Sequence, residues 1–346
     1  MRKQISSNSK KIFLILLSLS LFQLLIIPSR ASYNFDGYPL TWYVYGKIHG
    51  DVYVDGGHGL DATPYDELYS IPSGNNITWA AVFIGIWGGT EYNTGWIEAY
   101  VNASSLGLQQ INGINDDNSN VFGSAHGVYL VVYNITSHVK LNKTIEISVN
   151  TGGSYDGRVY GIVLVIVFNA SERVTKFCIG YGNVGLHYLI QGATYDTFSF
   201  NFRDTYNQSE FDNATLFVSY LATSSGEADY LSFNENELDS DAGDESSGVY
   251  FDLDSYNVSN YLESSNKVTF SRGDESYIHP TLAILKAIYK LGYGEGDDYI
   301  YYNIEGPSGE DGFDWLLIEI PVIIIIVIVV FLYQYKRKKK ITQKKA

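Results

Sequence analysis

The chain has 346 residues, with 23 Lys+Arg against 38 Asp+Glu, a net charge of −15, and 45% hydrophobic residues. Its basic residues are concentrated at the two ends, so the middle is acidic enough to repel a phosphate backbone, which excludes nucleic-acid binding. The single cysteine, Cys178, excludes an internal disulfide framework, and a body of this length can build a core without one.

Residues 1–31 read as a signal peptide. Arg2, Lys3, Lys10 and Lys11 precede an apolar stretch from Ile12 to Ile27. Pro28 then breaks it before Ser29-Arg30-Ala31, with small residues where a signal peptidase inspects them. An uncleaved anchor is the alternative; either way the chain that follows is exported.

From residue 32 to 300 the apolar pattern is short, alternating and rich in aromatics, within a chain of 30 Tyr and 33 Gly. Strands are expected over 41–48, 77–87, 95–102, 127–135, 144–150, 158–168, 175–180, 195–202, 214–222 and 229–234. The run Val159–Phe168 has no polar face. A strand of that kind needs a partner sheet on one side and another element on the other.

Two stretches of the chain repeat. "VYLVVYNITSHVKLNKTIEISV" (128–149) returns as "VYFDLDSYNVSNYLESSNKVTFS" (249–271). Upstream, "WAAVFIGIWGG" and "GWIEAYVN" match "NATLFVSYLATSSGEADYLSFN". Downstream, "GRVYGIVLVIVF" matches "HPTLAILKAIYK". Three correspondences in one order imply duplication. Asn134 and Asn257 are expected to cap the turn that ends their strand, with Val139 and Leu262 tucked beneath it. Propensity makes "LAILKAIYKL" (282–291) a helix, but the repeat assigns it to a buried final strand.

Residues 301–314 form an acidic stalk with no apolar run. "WLLIEIPVIIIIVIVVFLYQY" (315–335) is long enough as a helix, about 31 Å, to cross a bilayer. The basic tail 336–346 places the C-terminus in the cytoplasm, with Trp315, Tyr333 and Tyr335 at the interfaces and Glu319 and Pro321 in the outer turn. The expected fold class is therefore all-β: two tandem jelly-roll-like β-sandwich modules, 32–185 and 186–300, plus one C-terminal transmembrane helix. The expected location is the cell membrane with the body extracellular. Removing the five basic residues of the leader, the seven of the tail and Glu319 leaves 11 basic against 37 acidic residues, a net charge of −26 outside.

At "TWAAVFIGIWGGTEYNTGWIEAYVN", "SAHGVYLVVYNIT" and "DGRVYGIVLVIVF" the chain resembles an archaeal, methanogen-type cell-surface family, domain of unknown function 3344. The likeness covers most of residues 37–290. It implies export, an all-β architecture and an adhesin-like or envelope-associated role, and it transfers no catalytic residue. The membrane anchor rests on this sequence alone.

Eight Asn-Xaa-Ser/Thr sequons lie in the body, at Asn76, Asn102, Asn134, Asn142, Asn169, Asn207, Asn213 and Asn257, with Asn142 and Asn169 in the most open settings. Two acidic loops are candidate calcium sites. One offers Asp116, Asn118 and Asn120, and the other Asp239, Asp241, Asp244 and Glu245; neither has EF-hand spacing, and a solvated acidic loop is the competing reading. "GYGNVG" (180–185) matches a dinucleotide-binding pattern, but no helix follows it. The six histidines show no metal-ligand spacing. Trp87, before a glycine-rich loop, is the candidate sugar platform, whereas Trp42, Trp79 and Trp96 are expected mostly in cores. Cys178 reads as a small core hydrophobe.

These features point to a non-enzymatic, glycosylated, membrane-anchored surface protein. Its role is adhesion, ligand binding or envelope structure, with glycans or envelope proteins as partners and no cofactor beyond calcium. The competing readings are an exported carbohydrate- or peptide-active enzyme on a jelly-roll scaffold and a surface-layer component. Paired carboxylates converging in an aromatic-lined cleft would favour the enzyme.

Overall fold

The alternation read in the sequence becomes strand throughout the computed structural model, which describes residues 36–190 and 193–303. The strands are β1 (Gly37–Gly56), β2 (Tyr65–Ser70), β3 (Asn76–Trp87), β4 (Gly95–Val101), β5 (Ser104–Ile111), β6 (Val121–Ser124), β7 (Val128–Asn134) and β8 (Thr144–Gly153). After them come β9 (Arg158–Val184), β10 (Leu186–Ile190), β11 (Ala193–Tyr195), β12 (Thr197–Asn201), β13 (Phe211–Leu221) and β14 (Tyr230–Phe233). The last are β15 (Asn236–Asp239), β16 (Phe251–Asn257), β17 (Lys267–Ser271), β18 (Tyr277–Tyr289) and β19 (Tyr299–Tyr302). The expected signal peptide, transmembrane helix and tail, and all of the stalk after Asn303, lie outside the described residues. Among those described, no helix is long and apolar enough to cross a membrane.

The duplication is visible in the pairing. β3 lies between β7 and β9, and β13 lies between β16 and β18. β4 lies between β5 and β8, and β14 lies between β15 and β17. The register even shifts at the same repeat position, between Gly85 and Ile86 on β3 and between Ser219 and Tyr220 on β13. Each copy therefore has a four-stranded outer sheet, β2-β8-β4-β5 or β12-β17-β14-β15. The inner strands of both copies belong to one 11-stranded sheet.

Two long strands make that sheet continuous. β9 pairs with β3 through its first half and with β18 through its second, while β1 runs antiparallel along nearly all of it. The sheet doubles over on itself, which explains the strand without a polar face. Ile162, Leu164, Ile166 and Phe168 point into the first copy's core with Tyr69, Ile97 and Ile147. Val163, Val165 and Val167 point the other way, into a central core with Ile179 of the same strand and Phe251, Leu282 and Ile284 of the second copy. A third core, with Cys178, Leu216, Phe233, Phe270 and Leu285, fills the second sandwich. Burying an aliphatic side chain of this size stabilises by about 1.5–3 kcal/mol, so a run buried on both faces anchors the molecule. The inner faces touch directly: a Cβ on Gly161 would meet the Phe251 ring at 2.7 Å.

β18 shows how tertiary context overrides helix propensity. Ala283, Leu285 and Ala287 enter the second sandwich core, and Leu282 and Ile284 enter the central one. That period-two division suits a strand between two cores and cannot be met by a helix.

Candidate functional site

The Tyr-Asn-Xaa-(Thr/Ser) element is built identically in both copies. Asn134 Oδ1 accepts the Thr136 N–H, and Asn257 Oδ1 accepts the Ser259 N–H. The Thr136 hydroxyl accepts the Ala80 N–H, as the Ser259 hydroxyl accepts that of Ala214. Ile135 and Val258 are fully buried, and Val139 and Leu262 lie in their respective cores. The motif is a folding device in both places.

Equivalent strand ends of the two copies come together around a cavity of about 590 Å³. The end of β3 and the start of β9 supply Trp87, Arg158 and Tyr160. The second copy supplies Tyr250, Glu275 and Tyr277. The Arg158 guanidinium lies 4.6 Å from the Trp87 ring centroid and is held there by Asp156 at 2.8 Å. Glu227 and Ser224, from the loop after β13, complete the polar lining.

Glu275 is 1% exposed. One of its carboxyl oxygens accepts the Ser224 N–H at 2.7 Å. Burial, then the Ser224 bond working against it and the nearby charges of Glu227 and Asp229 adding to it, leave the carboxyl pushed up to about 8. Arg272 sits three residues away but binds Asp196 at 2.8 Å with its side chain, and meets only the backbone carbonyl of Glu275. Among the described residues no Lys, Arg or His forms an ion pair with Glu227 or Glu275.

The cavity lining continues at His279 into a buried polar layer. His279 Nδ1 is 2.8 Å from the Ser124 hydroxyl and 3.2 Å from Asn183 Oδ1. The Asn183 amide donates to the carbonyls of Phe122 and Val128, tying β9 to β6 and β7. Burial pushes His279 down to about 3, so it stays neutral. The cavity walls also carry backbone strain. His126, Ala222 and Tyr250 all adopt left-handed φ, at 58°, 60° and 58°. Non-glycine residues in that region persist where the surroundings over-determine them, a situation common at ligand sites.

The residues singled out in the sequence fall in several places. Trp87 lines the cavity, while Trp79 is buried in the central core. Cys178 is buried, its thiol pushed up to about 12. "GYGNVG" continues β9, and a Cβ on Gly180 would meet the Phe200 ring at 2.3 Å, so this glycine serves close packing.

In the acidic loops several oxygens are already engaged within the protein, although Asp241 Oδ1 is buried without a hydrogen-bond partner. Asp116 accepts the N–H groups of Asn112 and Asn118, and Asn118 Oδ1 accepts that of Asn120. Asp239 Oδ1 accepts the N–H of Ser240 and Asp241, its Oδ2 accepts the Tyr256 hydroxyl, and Asp244 accepts the Ser246 N–H. Among the described residues no three His, Cys, Asp or Glu side chains are grouped as a metal ion requires. Of the sequons, Asn76, Asn102, Asn134, Asn142, Asn207 and Asn257 are exposed. Asn169 is half-buried, and its amide nitrogen donates to Asp298 at 3.1 Å, which makes it a poor acceptor. Asn213 is also half-buried and accepts the Ser259 hydroxyl.

Arg158, Glu227, Tyr250, Glu275 and Tyr277 were not visible as site residues.

The fold and cleft define a doubly sandwiched all-β protein with an aromatic-lined cavity between its duplicated halves. Residues 32–288 match the model of DUF3344, a protein of unknown function, and the chain belongs to that family. Among curated proteins none matches. Similar solved structures include a peptide-N(4)-(N-acetyl-β-D-glucosaminyl) asparagine amidase, 10% identical over 73% of this chain and 100% of that one, with a TM-score of 0.27. AerE from Microcystis aeruginosa is 8% identical over 74% and 100% of the two chains, with a TM-score of 0.26. The protein of unknown function PA5104 from Pseudomonas aeruginosa PAO1 is 8% identical over 69% and 82%, with a TM-score of 0.24. At these scores none of the three bears on what this chain does.

Proposed function

We propose that this chain is a membrane-anchored, glycosylated surface protein of archaeal type whose extracellular body binds a saccharide in the cleft between its two copies. The observation that carries the reading is the cavity itself. Trp87, Tyr250 and Tyr277 bring partly or fully exposed aromatic side chains to it, and Arg158, Ser224 and Glu227 bring accessible polar ones. Sugars present apolar C–H faces and rings of hydroxyls, and a site of aromatic walls with a few convergent polar groups matches both. Three strained residues on the same walls support a built site. Export and anchoring are supported by the leader and by the apolar segment 315–335 with its basic tail.

The test is binding of the purified full-length chain to a printed glycan array, wild type beside Trp87→Ala. Saturable binding to a defined set of glycans, lost in the variant, supports the reading. Absence of binding to every glycan would refute it.

A further inference from the structure

We infer that N-linked glycans cap the pole of the molecule opposite the cleft, leaving the cleft's own rim bare to receive a saccharide borne by another molecule. This rests on the export and saccharide-binding reading. The strand registers fix where each sequon stands. On β3, Trp87 pairs with Val128 and Arg158 at the cleft, whereas Asn76 at the other end pairs with Asn169. The 12 residues of β3 separate those ends by up to about 36 Å. Asn134 ends β7 beside Ala81. The Asn102 N–H bonds the Glu146 carbonyl near the start of β8, and the Asn142 N–H bonds the Pro72 carbonyl just before it. From there β4 and β8 extend toward the cleft. Their other ends meet where Gly95 pairs with Gly153, close to the Gly157 N–H that bonds the Trp87 carbonyl.

The second copy repeats the arrangement. Asn213 pairs with Ile288 and Asn257 with Thr215, while Leu221, at the cleft end of β13, pairs with Phe251 and His279. Asn207 accepts the Glu210 N–H, and Glu210 accepts that of Lys290, just past β18. The far ends of the two copies adjoin, since His49, Arg173, Asn213 and Ile288 line one hollow there. Asparagine is common at both poles, but sequons are not. Asn93 and Asn112 to Asn115 lie on the cleft side, where the Asn93 amide bonds the Gly88 carbonyl and the Ile114 N–H that of Glu91. Neither Asn93, Asn112 nor Asn115 is followed two residues later by Ser or Thr. Sequons arising by accident would fall at both poles. A glycan is bulky and hydrated, and on the rim it would bar the cleft. In each modification the asparagine amide nitrogen bonds to the anomeric carbon of a glycan carried on a lipid phosphate. The carbon–oxygen bond to that phosphate breaks with its electron pair, and the proton lost by the amide passes to the transferring enzyme.

The experiment uses the full-length chain made in a host that glycosylates Asn-Xaa-Ser/Thr, with occupancy read by glycopeptide mass spectrometry and binding by the glycan array. Glycans are expected at the exposed Asn76, Asn102, Asn142 and Asn207. The same chain made without glycosylation should bind within about twofold of the modified one. Asp274→Asn completes an Asn-Xaa-Ser sequon across Glu275 and Ser276, which line the cleft, at an exposed position. Its glycosylated fraction should bind at least about tenfold more weakly than its unglycosylated fraction. Unmodified asparagine at all four exposed sites would overturn the inference. So would a glycosylated Asp274→Asn fraction that binds as tightly as the bare one, and in both cases the saccharide-binding reading stands. If no form binds any glycan, that reading fails, whereas occupancy still decides where the glycans lie.

Discussion

Trp87 and Arg158 illustrate how much of the site depends on single side chains. The ring is only partly exposed, and the guanidinium covers one of its faces, so removing the ring strips one wall of the cleft and leaves Arg158 without its platform. Trp87→Ala should therefore weaken saccharide binding at least tenfold, with little change in melting temperature, as isothermal titration and thermal unfolding will show. Glu275 gives a separate, pH-dependent test. Its folded carboxyl lies at about 8, above its ordinary value of 4.5. The folded state thus holds the proton more tightly, so the group favours folding at low pH, and that contribution is lost as pH rises from about 4.5 through 8. Denaturant midpoints of Glu275→Gln should depend less on pH across that window than those of wild type. Trp87 was legible in the sequence as a candidate platform, but Glu275 was not, because it is one of 38 acidic residues and its burial follows only from the loop that brings it under Ser224.

At the scale of elements, the repeated turn is the best-read feature. The sequence showed Asn134 and Asn257 as caps and Val139 and Leu262 as residues beneath the turn, and the bonds and burial agree. It did not show that the hydroxyl two residues after each asparagine bonds the partner strand, at Ala80 and Ala214. Thr136→Ala and Ser259→Ala should each cost about 1 kcal/mol in chemical unfolding, independently of one another because they serve different sandwiches. The strand assignment of "LAILKAIYKL" came from repetition overruling propensity. By contrast β19 gave no signal, since "YIYY" is brief and is fixed by a distant contact. The Lys47 ammonium bonds the carbonyls of Gly294, Glu295 and Gly296, holding the loop that delivers β19 onto β1. Lys47→Met should leave the sandwiches folded yet speed hydrogen exchange at Tyr299–Tyr302 by about tenfold or more.

Over the whole molecule, several buried or half-buried acids act in one direction. Asp229 and Asp252 are pushed up to about 6, Asp254 to about 7 and Glu275 to about 8, in each case first by burial. Each folded value exceeds the unfolded one, so their contribution is fully present below about pH 4 and declines toward pH 8, seen as a falling melting temperature across that range. The duplication was legible at this scale, but the sharing of strands was not. Alternation reports which face of a strand is covered, whereas only the pairing partners reveal that β1 and β9 serve both copies. An isolated fragment of residues 32–185 should accordingly fail to unfold cooperatively in calorimetry, because the second half of its β9 has lost β18.

The course of β1, paired along both halves of β9, has a last consequence. Jaws that share a backbone beam cannot swing about a hinge, so guests must fit a mouth whose shape is set before they arrive. Selectivity would then come from outline and size, and affinity would carry little penalty for ordering the host.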